Sequence, residues 1–312
     1  MFVYDDDIYI PAVDLWLDSR RVKPFGFISH AHGDHIARHK KIICSKPTGD
    51  FIRRRLKNPA FTSYEYNKPF SINNRRITLY PAGHILGSSQ IKIETDEKSL
   101  LYTGDFRLKQ SLTAEPFQLV KADILIMETT FGKAHYKIPP REDAQEALIE
   151  KCRNKLREGR IPVVFAYSLG KGQEALKILS DAGLPVAVDY MIMQYAPIYQ
   201  KYGVQFSAFE KFKKSAYREK VLLLPPNARN RRFLQSIGNI YSIFLSGWGM
   251  DSKASFRFKV DEVIPLSDHA DFDELLQLVE MVDAGEVYCT HGFDDFVNTL
   301  KEKGIKAYRL GV

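Results

Sequence analysis

The sequence predicts an α/β protein: a β-rich host domain, written in two sequence halves, that carries an inserted α/β layer. Three observations predict it. The first third reads as short β segments separated by turn signals, the middle alternates buried strands with amphipathic helices, and the C-terminal part returns to the first style. The chain has 312 residues, enough for two domains at roughly 100–200 residues each. Hydrophobic residues make up 45% and charged residues 27%, which excludes disordered, collagen-like and coiled-coil chains.

In order along the chain, Phe25-Gly26-Phe27-Ile28-Ser29, Arg76 to Tyr80, Ser99 to Tyr102 and Asp123 to Met127 are strand-like. Ile161 to Ala166 reads as a buried strand and Gly172 to Asp181 as the helix after it, followed by a second strand, Leu184 to Val188, closed by Asp189. Near the end come a strand at 262–265, a helix from Asp273 to about Asp283, a strand at 286–289 and a helix from about Asp294 to Lys303. The expected division is a discontinuous host domain over 1–136 and 253–312, with the insertion over 137–252.

No run approaches ~18 apolar residues, so no membrane span is expected. The acidic start, Met1-Phe2-Val3-Tyr4-Asp5-Asp6-Asp7, lacks the basic region of a secretory signal. Three widely spaced cysteines, Cys44, Cys152 and Cys289, offer no disulfide framework or cysteine zinc site, and the expected home is a reducing cytoplasm. The formal charge is +7. Between Glu150 and Gln235 there are 16 Lys and Arg against 7 Asp and Glu, a local +9, so the rest of the chain nets −2. That concentration suits a polyanionic partner, and its candidate contacts are Arg229, Arg231 and Arg232. Ser168 and Lys171, in a turn that opens a helix, are candidate phosphate contacts through free N–H groups. The spacing G-x-x-x-x-G-K-[ST] is absent, so this turn is not a P-loop.

The chemistry is concentrated in Ser29-His30-Ala31-His32-Gly33-Asp34-His35. Imidazole and carboxylate without thiolate suit Zn²⁺ or Mn²⁺. His84 (after Gly83), Asp105 (after Gly104) and His291 each follow a predicted strand. As a set they complete two centres. His30, His32 and His84 would hold one ion, Asp34, His35 and His291 the other, and Asp105 would bridge them.

These motifs resemble the metallo-β-lactamase superfamily and its nucleic-acid-cleaving β-CASP branch. Asp18 matches the first motif, residues 30–35 the second, His84 the third and Asp105 the fourth. Glu128 in Met127-Glu128-Thr129-Thr130-Phe131-Gly132, His269 in Ser267-Asp268-His269-Ala270-Asp271 and His291 resemble the three motifs peculiar to β-CASP nucleases. Ala166 to Gln173, Pro225-Pro226-Asn227-Ala228 and Ser246-Gly247-Trp248 look like the ligase-associated DNA exonuclease subgroup. The resemblance implies a metallo-β-lactamase αββα sandwich with an inserted β-CASP domain. It also implies two divalent ions per chain, a DNA substrate, and an ATP-dependent DNA ligase and a helicase as partners. It assigns Asp34 to orienting the nucleophile, Asp18 to holding a ligand histidine, and Glu128 with His269 to the leaving group. An RNA-processing nuclease with the same chemistry is the alternative on the same residues. A small-molecule metallo-hydrolase would need neither the basic insertion nor the Glu128–His269 pair, and a non-catalytic nucleic-acid-binding subunit would lack the full ligand set retained here.

Overall fold

The protein is mixed α/β with three sheets, in a computed structural model that describes residues 1–230 and 232–311. It divides into two compact units, Met1–Tyr136 with His269–Val312, and Lys137–Asp268.

The first unit holds two sheets. One orders Val3–Asp5, Asp7–Ile10, Leu15–Leu17, Phe25–Phe27, Lys41–Ser45 and Phe61–Tyr64, antiparallel at first and parallel from Leu15 onward. The other orders Ala307–Arg309, Glu286–Thr290, Ile124–Glu128, Ser99–Tyr102, Ser89–Glu94, Arg75–Pro81 and Phe70–Ile72. Successive strand residues point to opposite faces, and the burial follows that period. Leu100, Tyr102, Ile124 and Ile126 join Ile10, Leu15, Phe27 and Ile43 in a core between the sheets. Leu101, Leu125, Met127 and Val287 face the other way, onto the helices Phe272–Val282 and Asp294–Glu302. On the far side Ile42 and Cys44 pack with Ile52 of the helix Lys46–Arg55. The layers therefore run helix, sheet, sheet, helix, and each fully buried aliphatic side chain contributes roughly 1.5–3 kcal/mol.

The helix Phe272–Val282 starts where sequence chemistry dictates. Asp271 Oδ1 accepts from Glu274 N at 2.9 Å, and Glu274 Oε2 accepts from Asp271 N at 3.1 Å, a reciprocal cap of two otherwise orphaned donors. It ends at Asp283, which takes φ 55°, the left-handed conformation that stops a helix.

In the second unit six strands form one parallel sheet in the order Glu210–Lys211, Val186–Val188, Val221–Leu224, Ile161–Phe165, Ile240–Leu245, Glu262–Ile264. Runs such as Ile161-Pro162-Val163-Val164-Phe165 are apolar throughout because both faces are covered. Val164, Val186, Leu223 and Ile243 meet the helices Arg141–Arg157 and Lys171–Asp181, while Val163, Leu222 and Phe244 pack on Leu234 and Phe258. Residues 253–268 correct the expected boundary at 252. They belong to this unit, because Glu262–Ile264 pairs parallel with Ile243–Leu245 and extends its sheet.

Candidate metal centre

The side chains of the centre leave the C-terminal ends of strands in the first unit. His30, His32, Asp34 and His35 follow Phe25–Phe27, His84 follows Arg75–Pro81, Asp105 follows Ser99–Tyr102 and His291 follows Glu286–Thr290. The two glycines singled out beside His84 and Asp105 are required by close approach. Gly83 (φ 77°) and Gly104 (φ 57°) take left-handed backbone, and a Cβ at Gly104 would lie 2.6 Å from Ser29 Cβ, one at Gly83 2.2 Å from Arg107 O. Any side chain there would push the strand ends apart and open the centre.

Among the groups of potential ligand atoms that converge within 4.8 Å of one another are His30, His32, His84 and Asp105, and His35, Asp105 and His291. Asp105 is common to both. Its Oδ2 lies 3.3 Å from His35 Nε2, 3.5 Å from His30 Nε2 and 3.8 Å from His84 Nε2. Asp34 stands at the rim, with its side chain 59% exposed and Oδ2 3.9 Å from His35 Nε2. His291 is exposed too.

The hydrogen bonds around the cluster decide which ring nitrogens are bare. Asp18 accepts from Ser29 N at 2.7 Å through Oδ1, and from Ser29 Oγ at 2.5 Å, Tyr102 OH at 2.8 Å and His35 Nδ1 at 2.9 Å through Oδ2. The histidine it holds is therefore His35, whose Nε2 faces Asp105. Ser29 has one hydroxyl hydrogen, given to Asp18, so at 3.0 Å it accepts from His30 Nδ1. His30 Nε2 is then a lone pair. It is buried, has no hydrogen-bond partner, and faces a carboxylate oxygen 3.5 Å away. Two lone-pair groups facing each other in a dry interior repel unless a cation lies between them. This arrangement fits a divalent metal. Burial, with His35, His84 and His32 close by, holds His30 well below the usual imidazole range, so it stays a neutral ligand. Burial also opposes the Asp105 charge, but the neighbouring His35, His269 and His30 outweigh it and keep its carboxyl well below the usual range. For His35, burial is outweighed by the carboxylates Asp105 and Asp18, and its pKa is held well above the usual range. A cation at that nitrogen therefore displaces a proton, as metal ligation generally does.

Ser29 and Tyr102 are site residues that the motif reading did not assign. Tyr102 was legible in principle, since it shares the inward face of its strand with Leu100. Two further holders were not legible. His291 sits at φ 56°, an uncommon conformation for a non-glycine residue. Thr129 Oγ1 donates to its carbonyl at 2.8 Å, and Arg309 donates through Nη1 to the same carbonyl and through Nη2 to Gly292 O at 3.0 Å.

Glu128, 1% exposed, ends the strand Ile124–Glu128. Its Oε1 accepts from His269 Nδ1 at 2.9 Å and its Oε2 from Thr130 N at 2.9 Å. The His269 ring centroid is 4.5 Å from that of His84, so the pair stands against the cluster with His269 Nε2 unclaimed by Glu128.

Asp18→Asn tests the supporting shell. An amide can donate where three donors now converge, and it carries no charge to fix the His35 tautomer. Affinity for one of two ions should fall about 10–100-fold, read by competition with a chromogenic chelator, while the other ion stays in place. Unchanged affinity for both would show that Asp18 only supports the fold.

The basic candidates lie in the second unit, and the structure changes their reading. Lys171 is 4% exposed and donates to Asp268 Oδ1 at 2.7 Å. Arg229 donates through Nε to Pro226 O at 3.1 Å and through Nη1 to Phe258 O, and its guanidinium lies 5.6 Å from the Phe244 ring centroid. Both charges are satisfied inside the unit. Two of the turn N–H groups are occupied as well: Gly172 N donates to Tyr167 O at 2.9 Å and Gly170 N to Gln173 Oε1 at 2.8 Å. Ser168 is half-buried and Arg232 is exposed. Arg231 lies outside the described residues.

No family model matches the chain. A protein of Opitutus terrae named a probable DNA ligase is 37% identical over 315 residues, covering 99% of this chain and 31% of the relative. RNase aCSPSF2 of Saccharolobus solfataricus is 24% identical over 90% of this chain and 71% of the relative. An RNase J-like protein of Methanocaldococcus jannaschii is 28% identical over 56% of this chain and 49% of the relative. The chain thus spans about a third of the length of the ligase-named relative. Two of these three relatives carry RNase names and one a DNA-ligase name.

Proposed function

We propose that the chain is a metal-dependent nuclease that hydrolyses phosphodiester bonds of DNA, as an exonuclease in DNA repair or processing. The observation that carries the reading is Asp105, a single carboxylate shared by two ligand groups. Shared carboxylates belong to two-metal sites rather than to lone structural ions. His30, His32, His84 and Asp105 would hold one divalent ion, and Asp34, His35, His291 and Asp105 the other, Zn²⁺ or Mn²⁺ by donor chemistry. When bound, such a pair lowers the pKa of a water to near neutrality and neutralises phosphate oxygens.

The remaining steps belong to side chains. Asp34, at the exposed rim, receives and orients the attacking water. Asp18 keeps His35 in its ligating tautomer. Glu128 accepts from His269 Nδ1, so the buried carboxylate steadies the ring, and the imidazole carries a proton to the departing oxygen. Ser168 and Arg232 remain candidate contacts to the strand, as does Arg231. Lys171 and Arg229 act by shaping the unit.

The ligase-named relative, about a third of whose length the chain matches, lends weak support to DNA as substrate, whereas an ATP-dependent DNA ligase as partner rests on the motif resemblance alone. A helicase partner and a cytoplasmic location rest on the motif resemblance and on the cysteine usage. No helix among the described residues is long and apolar enough to cross a membrane. The RNase-named relatives favour a second reading, an RNA-processing enzyme using the same centre. End-labelled single-stranded DNA, duplex DNA and RNA of one sequence, each with Zn²⁺ or Mn²⁺, separate the two. The expected result is stepwise shortening of DNA. Cleavage of RNA alone establishes the second reading, and cleavage of none of the three rejects both.

A further inference from the structure

We infer that the C-terminal edge of the parallel sheet in the second unit is a stacking platform for the bases of single-stranded DNA, built on Tyr167 and Tyr190. The inference rests on the nuclease reading and adds the form of strand that the unit selects.

In an open parallel sheet, ligands sit outside the carboxyl ends of the strands, where the connecting loops gather. Tyr167 stands two residues beyond the strand Ile161–Phe165, and Tyr190 two beyond Val186–Val188. Tyr167 is 51% exposed, Tyr190 50% and the adjacent Met191 42%. A single exposed tyrosine needs no explanation. Here two occur on one edge, and each has an ammonium group near its ring. Lys211 Nζ lies 5.6 Å from the Tyr190 centroid and Lys171 Nζ 5.5 Å from that of Tyr167.

The loops that carry the rings are tied together. Gln173 is fully buried and donates through Nε2 to Ser168 O and to Ile192 O, both at 2.9 Å. Asp189 caps the short helix that begins at Tyr190, accepting from Met191 N at 2.9 Å. Rings on a preorganised frame lose little freedom on binding. Only the strand Val221–Leu224 separates the two tyrosine-bearing strands, so their ends stand about 10 Å apart, two strand spacings. That distance lets each ring take its own base rather than share one.

Charge selects the same ligand. Lys171 is neutralised by Asp268, so the phosphate partners are the exposed Lys211, Lys213 and Lys214 along the Tyr190 side. Aromatic faces beside a cationic strip bind single strands of any sequence, because every base has a π-face. A duplex keeps its bases stacked on their own neighbours and offers these rings nothing.

The test measures binding of fluorescein-labelled oligo(dT) with a phosphorothioate backbone, and of a duplex with the same backbone, by fluorescence anisotropy. Tyr167→Ala and Tyr190→Ala should each weaken oligo(dT) binding roughly 5- to 150-fold, the range for one lost stacked base, and leave duplex binding unchanged. Tyr167→Phe and Tyr190→Phe should stay within about twofold of wild type. Lys211→Gln should reduce the slope of log affinity against log salt by about 0.7. Phe256→Ala removes a ring that is 86% exposed elsewhere on the unit and should change nothing. Metal content and the thermal midpoint of each variant report whether it is folded. Equal losses on duplex and single strand, equal losses in the Phe256 variant, or no loss in either tyrosine variant overturn the platform. Failure of the wild-type protein to bind oligo(dT) at all instead removes the nuclease reading beneath it.

Discussion

Asp105→Ala is expected to abolish both metal sites in one substitution. The carboxylate is 6% exposed and its Oδ2 faces the Nε2 atoms of His30, His35 and His84 within 3.8 Å. Its loss leaves four histidines, His30, His32, His35 and His84, crowded together without the carboxylate that the two ligand groups share. Metal content should fall from close to two ions per chain to below one. The rate on DNA should drop on the order of 10⁴-fold, about 5 kcal/mol of transition-state stabilisation. Elemental analysis and steady-state rates read both quantities. Retention of two ions would remove Asp105 from the bridging position. A folded wild-type protein saturated with Zn²⁺ that carries no metal would overturn the whole reading.

The second large effect separates leaving-group assistance from metal binding. His269→Ala should keep both ions and lose roughly 10²–10⁴-fold on DNA, the range for general acid–base assistance. A substrate with a p-nitrophenolate leaving group, such as bis-p-nitrophenyl phosphate, needs no proton and should suffer much less. His291→Ala should lose an ion and slow both substrates, because His291 shares a ligand group with His35 and Asp105. Glu128→Gln should follow His269→Ala in pattern, since its Oε1 is the acceptor for His269 Nδ1. If His269→Ala loses a metal while His291→Ala retains two, the two histidines exchange roles.

The geometry is informative because it distinguishes histidines that are alike in sequence. His30 and His35 both lie in one loop, yet Ser29 and Asp18 fix their tautomers by different routes. Both routes leave Nε2 toward Asp105. Both also trace back to Asp18, directly for His35 and through Ser29 for His30, which makes a chance cluster of surface histidines a poor account of this loop.

The sequence by itself determined part of the order of elements, and the strand ends after which the candidate ligands stand. Those features are local. A run such as Ser99-Leu100-Leu101-Tyr102 shows its apolar character within four residues, and the strand has those same bounds. His30 to His35 lie side by side in the chain, so their proximity needed no fold, and Gly83 and Gly104 signalled close approach by composition alone. The tertiary structure decided what depends on distant partners. It chose His35 for Asp18, brought Tyr102 to the same carboxylate across 84 residues of chain, and placed Glu128 against His269 across 141. It moved residues 253–268 into the second unit, because strand pairing is a non-local choice that periodicity cannot register. It also withdrew Lys171 and Arg229 from the free basic surface. A charge count sees every cation equally, whereas Asp268 and the carbonyls of Pro226 and Phe258 satisfy these two only once the chain has folded.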